Sequence, residues 1–301
     1  MHIPVLRETA IKYLNPKSCN VFVDATINGG GHTKEILNDK NFKGVVVGID
    51  QDEDLILKLK RELEKDLYLG RLKLVCGNFK EIDELLNSLN IKACDAALFD
   101  LGMSSWHLER SGRGFSFLRD EPLLMTYNVC SSFSDLTAEK IINEWGREEI
   151  LKILKEEGEE RFAENIVKNI LEARKRKRIK TTFELVEIIK KSIPVNIQRK
   201  SKIHPATKTF QALRITVNDE LNALKEGLAK VFDLLETNGR IVAISFHSLE
   251  DRIVKNFFRN LKAQGLANIL TKKPLIASEE EVKQNPRSRS AKLRAIIKIK
   301  K

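Results

Sequence analysis

Val21-Phe-Val-Asp-Ala-Thr-Ile-Asn-Gly-Gly-Gly-His32 is the stretch on which the reading of this chain turns. An apolar run stops at a carboxylate, crosses three glycines and enters a helical pattern, which reads as strand, tight loop and helix. Glycine permits positive φ and close approach of a ligand to the main chain, while the first helical amides, Thr33 to Leu37, point back into the loop. The element is a nucleotide-type pocket. A second β-branched run, Gly44-Val-Val-Val-Gly-Ile-Asp50, ends in an acid twenty-one residues after Gly29. A carboxylate in that position accepts hydrogen bonds from both hydroxyls of a ribose.

Strand-like runs recur at 20–25, 45–50, 71–76 and 95–100, with helical patterns between them such as Leu55, Leu59 and Leu63 at a spacing of four. Alternation of this kind implies a parallel sheet, and right-handed crossovers carry the C-terminal end of every strand to one rim. Asp24, Asp50, Asn78, Phe79 and Asp100 should meet there. The acids make the rim a poor host for the two phosphates of a dinucleotide. S-adenosylmethionine, with a ribose, an adenine, a sulfonium cation and no phosphate, suits it better. A nicotinamide-dependent oxidoreductase remains the alternative that the glycine loop and Asp50 alone would allow.

The composition is that of a soluble globular protein: 42% hydrophobic and 32% charged residues in 301. No apolar run approaches membrane-spanning length, and Met1-His-Ile-Pro4 lacks the basic and apolar segments of a leader, so a cytoplasmic location is expected. Cys19, Cys76, Cys94 and Cys130 are far apart and are expected to be buried free thiols. The five histidines are equally scattered, and no structural metal is expected. Lys and Arg number 53 against 42 acids, a formal charge of +11 that favours a polyanionic partner, of which nucleic acid is the commonest.

Beyond about residue 133 the strand signal gives way to helical patterns, and it returns only at Arg240 to Phe246 and Leu293 to Ile299. The organisation expected is a sheet-based core in two parts, 1–133 and 209–301, around an all-helical insertion at 134–208. Thr181-Thr-Phe-Glu184 has the pattern of a capping box. The insertion carries Arg174-Lys-Arg-Lys-Arg-Ile-Lys180, a composition suited to phosphate contacts through Arg174, Arg176 and Arg178. The loop after the fourth strand supplies Ser104, Ser105 and Trp106, then Arg113 and Phe115, as candidate contacts to a nucleic-acid substrate with an extruded base. Asp100 ends that strand and is the candidate catalytic group, able to accept an amine N–H and take up its proton.

The ordered motifs go further than these inferences. Glu8, Asp24-Ala-Thr26, Gly30-Gly-His32, Gly48-Ile-Asp-Gln-Asp52, Gly77-Asn-Phe79, Phe99-Asp-Leu-Gly-Met-Ser-Ser105, Arg113-Gly-Phe-Ser-Phe117, Phe210-Gln-Ala-Leu-Arg-Ile215, Val217-Asn-Asp-Glu-Leu221, Phe246-His-Ser-Leu-Glu-Asp-Arg-Ile-Val-Lys255 and Asn285-Pro-Arg-Ser-Arg-Ser-Ala-Lys-Leu-Arg294 follow one another along nearly the whole chain. Together they resemble the bacterial 16S ribosomal RNA (cytosine-N4) methyltransferase family. That resemblance implies a class I S-adenosylmethionine-dependent methyltransferase, a Rossmann-like, doubly wound, mostly parallel α/β sheet with an inserted all-helical domain. It implies methylation of the N4 amine of a decoding-region cytidine in 16S rRNA; the small ribosomal subunit is the expected setting, naked RNA the alternative, and the sequence leaves monomer and homodimer both open.

Carried over position by position, the cofactor contacts would be Gly30, Gly31, His32, Asp50, Phe79 and Asp100, with His107 where the family usually has glutamine. Asn28 stands in place of a loop glycine, and Asn enters the left-handed region more readily than most residues. Where the family has Asp-Gly-Pro-Leu-Asp-Met-Arg-Met, this chain has Asp120-Glu-Pro-Leu-Leu-Met-Thr-Tyr127, so Leu124 and Thr126 replace a carboxylate and an arginine. A non-catalytic RNA-binding or ribosome-assembly factor is the alternative that this departure keeps open.

Overall fold

The structure, a computed structural model, describes residues 4–127 and 136–300. His2, Ile3, Cys130 and the boundary expected at 133 lie outside the described residues. The chain divides into two compact units, one made of 1–104 with 221–301 and the other of 105–220.

The first unit is built on a seven-stranded sheet. Its strands are β1 (Val21–Asp24), β2 (Val45–Asp50), β3 (Leu72–Cys76), β4 (Cys94–Asp100), β5 (Leu235–Ser245), β6 (Ala267–Ile269) and β7 (Lys292–Lys298), in the spatial order β3-β2-β1-β4-β5-β7-β6. The first five pair in parallel, and β7 runs antiparallel between β5 and β6. Parallel strands covered on both faces read as unbroken apolar runs. Val46, Val47 and Ile49 of β2 and Ala96 to Phe99 of β4 are indeed sealed from solvent. Chain order reverses between β1 and β4, the topological switch point at which open α/β sheets bind ligands.

The helix Gly31–Asn38 follows β1 directly, and Glu53–Glu62 follows β2 with Asp52 as its N-cap, whose side chain accepts from the Leu55 amide. Gly48 is required by a close approach. A Cβ there would stand 2.3 Å from Ile27 Cδ1, so the loop packs onto β2 only because residue 48 has no side chain.

The second unit is helical: Ala138–Glu144, Arg147–Glu156, Ala163–Arg176, Thr182–Ser192, Val195–Lys200 and Thr207–Asn218. The capping box at Thr181 and Glu184 is formed. Boundaries expected at 133 and 208 differ from the division at 104 and 220. Residues 105–127 are tied into this unit by the Pro122–Thr181 bridge and by the Thr182 amide donating to the Glu121 carbonyl. Thr207–Asn218 packs on Arg147–Glu156. The expectation of uniformly buried thiols fails at Cys76, which ends β3 and is exposed, whereas burial pushes Cys19 and Cys94 up to about 12. No helix among the described residues is long and apolar enough to cross a membrane.

Candidate cofactor and substrate site

The strand ends of β1, β2 and β4 are joined through one residue. Asn28 sits at φ 49, in the left-handed region. Its amide donates to Asp50 Oδ2 at 3.0 Å, and its side-chain nitrogen donates to the carbonyls of Thr26 and Asp100, both at 3.1 Å. The Asp100 amide in turn donates to Thr26 Oγ1 at 2.6 Å. Gly30, at φ 71, then turns the chain into the helix. Sequence reasoning places neither Thr26 nor Asn28 in the site's framework; an Asn among loop glycines is the only signal they give.

Asp50 also accepts the Asp52 amide through Oδ1 at 3.0 Å. Two backbone N–H groups thus fix the orientation of its carboxylate. The Gly77 amide donates to the Asp50 carbonyl at 2.9 Å, which brings the next loop alongside. In that loop the Phe79 ring is half-buried, meeting Phe99 edge to face at 5.6 Å. It lies so close to Gly227 that a Cβ there would be 2.6 Å from the ring.

Asp24, His32 and Asp100 form a buried acid–imidazole–acid cluster. His32 Nε2 lies 3.5 Å from Asp100 Oδ2, an ion-pair separation at the outer limit of hydrogen bonding, and Thr33 donates its hydroxyl to Asp24 Oδ2 at 2.7 Å. Among the described residues Asp24 Oδ1 and Asp100 Oδ1 are buried and accept no well-aligned hydrogen bond within 3.5 Å. Burial pushes the Asp24 carboxyl up to about 6, against the lowering effects of the Thr33 hydroxyl and the His32 charge, and the Asp100 charge adds to the rise. For His32 burial works downward, but the contact with Asp100 and the charges of Asp100, Asp24 and Glu35 outweigh it, so its proton is held above the ordinary value.

A glycine loop on a switch point, with carboxylates at the strand ends, stands where open α/β sheets bind nucleoside-containing ligands. A model of the MraW methylase family matches residues 1–299. The chain belongs to the MraW methylase family. It is 47% identical to the ribosomal RNA small subunit methyltransferase H of Sulfurihydrogenibium sp. (strain YO3AOP1), covering 97% of both chains. To the protein of the same name from Clostridioides difficile it is 42% identical, covering 99% of both. Among solved structures, an rRNA methylase from Streptococcus thermophilus aligns with 98% of this chain and 94% of its own, at 12% identity and a TM-score of 0.43. The strand order and the antiparallel β7 give the doubly wound, mostly parallel sheet expected from the motifs of this methylase family.

Not every expected site residue of this MraW methylase lies in the first unit. Gly30, Gly31, His32, Asp50, Phe79, Asp100 and the buried Ser104 do; Ser105, Trp106, His107, Arg113 and Phe115 belong to the second. There His107, proposed as a cofactor contact, packs its buried ring 5.4 Å from Phe115 and 4.8 Å from Tyr127. Phe115 stacks on Tyr127 at 5.0 Å and is 5% exposed, so it is core rather than a platform for RNA. Arg113, expected as a contact to the substrate, is 6% exposed and donates to the carbonyls of Thr126 and Tyr127. Trp106 is half-buried in the short helix Ser105–Glu109.

The segment that departs from the family pattern is held from two sides. Asn218 donates to the Met125 carbonyl and accepts the Tyr127 amide, while Arg214 grips Glu220 through two bonds of 2.8 and 2.9 Å. The basic run is corrected in part as well. Arg174 donates to the carbonyls of Ile142 and Trp145, satisfying the end of the helix Ala138–Glu144. Arg178 pairs with Glu139 and Glu144, both at 2.7 Å, which leaves Arg176 as the exposed cation of the three that no glutamate or carbonyl among the described residues holds.

Proposed function

We propose that this chain transfers the methyl group of S-adenosylmethionine to the N4 amine of a cytidine in the decoding region of 16S rRNA, presented within the small ribosomal subunit. The observation that carries the reading is the pair of buried, unsatisfied acceptors, Asp24 Oδ1 and Asp100 Oδ1, beside the glycine loop. A buried acceptor left unpaired costs about 1–3 kcal/mol, so the pocket favours a ligand that is cationic and rich in donors and disfavours one carrying phosphates. S-adenosylmethionine fits that demand, and when bound it supplies an electrophilic methyl group on a sulfonium.

The remaining work falls to the chain's own groups. Asp50 is fixed by the Asn28 and Asp52 amides at the end of β2, where its carboxylate accepts ribose hydroxyls. Phe79, steadied by Phe99, offers apolar contact to the base of the nucleoside. Gly30 turns the chain at φ 71 and Gly31 packs against Pro4, where a Cβ would stand 3.0 Å from the ring, and His32 on Asp100 Oδ2 sets the carboxylate's orientation. Asp100 Oδ1 is then directed at a donor. An exocyclic amine must withdraw its lone pair from the ring and release a proton as it attacks, and a carboxylate that accepts its N–H assists both.

The test is single-turnover methylation of 16S RNA, free and within small subunits lacking the modification, with nucleoside mass spectrometry to locate the methyl. The expected product is N4-methylcytidine, formed on the subunits. Asp100→Asn is expected to lower the rate by roughly 10²–10⁴ with RNA affinity unchanged. Label on uridine, on ribose or on no nucleoside would reject the assignment and favour a non-catalytic role, and a fully active variant would reject Asp100 as the catalytic group.

A further inference from the structure

The excess positive charge of this chain is not where the basic run suggests. Residues 105–220 hold 22 Lys and Arg against 18 acids, and residues 1–104 hold 14 against 16; residues 221–301 hold 17 against 8, which is +9 of the chain's +11. Within the last segment, residues 252–278 contain six cations and no carboxylate at all. Four of the six, Arg252, Lys255, Arg259 and Lys262, recur every three or four residues along the helix Ser248–Ala263, so they share one face. The opposite side of that helix buries Val254, Phe258 and Leu261 in the core of the first unit.

Two of these cations, Lys255 and Arg259, border a hollow. Lys255, Arg259, Lys272 and Arg294 line one small cavity whose floor is Phe258 and the buried Thr271. Arg294 is already satisfied, bound by Asp251 through bonds of 2.7 and 3.1 Å, and the Thr271 hydroxyl accepts the Ala295 amide. Among the described residues Lys255, Arg259 and Lys272 have neither a hydrogen bond nor an ion pair. The contrast with the insertion is direct. There Lys177 is held by Glu184 and Arg178 by Glu139 and Glu144, all at 2.7 Å. Three cations without a carboxylate of their own around one hollow, where the Asp251 carboxylate is already taken by Arg294, repel one another unless an anion sits among them.

We propose that Lys255, Arg259 and Lys272 form a phosphate-binding cup for the backbone of the substrate RNA, so that the sheet-bearing unit, rather than the basic run at 174–180, supplies the main electrostatic contact. The proposal rests on the reading of the substrate as RNA. Each phosphate neutralised releases counterions, and log affinity loses about 0.7–0.9 per contact for each unit of log salt. Neutralising three contacts therefore removes about 2–3 from the slope.

The experiment measures binding of a 16S transcript that contains the decoding region to the full-length chain, from low to high salt, for wild type and for Lys255→Gln/Arg259→Gln/Lys272→Gln. The expected result is a slope lower by about 2 or more in the triple variant, with S-adenosylmethionine affinity unchanged by calorimetry. As a check independent of mutation, acetylation of Lys255 and Lys272 in the wild-type protein, followed by mass spectrometry, should be suppressed by the transcript. An equal slope, or equal acetylation with and without RNA, overturns the cup while methyl transfer by the wild type leaves the RNA reading standing. A wild type that binds and methylates no RNA overturns both.

Discussion

Replacing Asp24 by asparagine tests the acid–imidazole–acid cluster at its most strained member. The carboxyl is buried, its folded value is about 6 against an ordinary 3.8, and one of its oxygens accepts no well-aligned hydrogen bond among the described residues. Raising a carboxyl by that much corresponds to about 3 kcal/mol, at about 1.4 kcal/mol per pH unit. Because the folded value is the higher one, the stability contributed by this group is fully present below pH 3.8 and is lost as the pH climbs through about 6. His32, also raised, acts in the same sense and loses its contribution as the pH rises through a value above 6.5. At pH 7.5 the wild type thus holds a charge that its fold disfavours. The substituted carboxamide is neutral at every pH, keeps the shape and still accepts the Thr33 hydroxyl. In urea unfolding of the ligand-free protein, Asp24→Asn should be more stable by about 3 kcal/mol at pH 7.5 and no more stable than wild type near pH 3.5. Calorimetry at pH 7.5 should show S-adenosylmethionine binding weakened, by roughly 1.5–3 kcal/mol if the carboxylate meets a cationic donor. Equal stability at pH 7.5, or a gain that persists undiminished at pH 3.5, would refute the account of a charge kept for its ligand.

Two further outcomes are expected. Asp50→Ala should weaken S-adenosylmethionine by about 1–3 kcal/mol, measured by calorimetry, since it removes the proposed ribose acceptor and also frees the Asn28 amide; unaltered affinity would dismiss Asp50 from the pocket. Arg174→Ala should lower the stability of the helical unit by about 1–3 kcal/mol in thermal or urea unfolding, through the exposed carbonyls of Ile142 and Trp145, and leave the salt dependence of RNA binding as it was; a lower slope with intact stability would restore it as a phosphate contact.

How far the sequence could be read depended on whether a feature was local. The strands ending in Asp24, Asp50 and Asp100 were legible because interior parallel strands are apolar throughout and stop where the sheet meets the cleft. The three-residue β6 carries too little pattern to stand out, and β5 begins at Leu235 rather than 240 because Glu236-Thr-Asn-Gly239 reads as a turn. The rim acids were found, but not the Asn28 tie, whose partners are the ends of β2 and β4 and its own loop. Charge was the least legible property. Arg113 and Arg178 look alike in composition, yet one is buried on backbone carbonyls and the other is neutralised by glutamates more than thirty residues away. Only the folded chain tells such arginines from the unpaired Lys255, Arg259 and Lys272.

The strand order also sets a timetable for synthesis. β4 lies between β1 and β5, yet Asp100, its last residue, leaves the ribosome 135 residues ahead of Leu235. At about 5–20 residues per second, the Ala96 to Phe99 edge waits roughly 7–27 s for its neighbour. An apolar, unpaired edge of this kind is a template for association with other nascent chains. Meanwhile the 105–220 unit, whose contacts are largely its own, emerges complete and free to fold. Half-made sheets of this protein should therefore depend on chaperones that shield strand edges, and premature termination between residues 101 and 234 should yield aggregates rather than a smaller soluble enzyme.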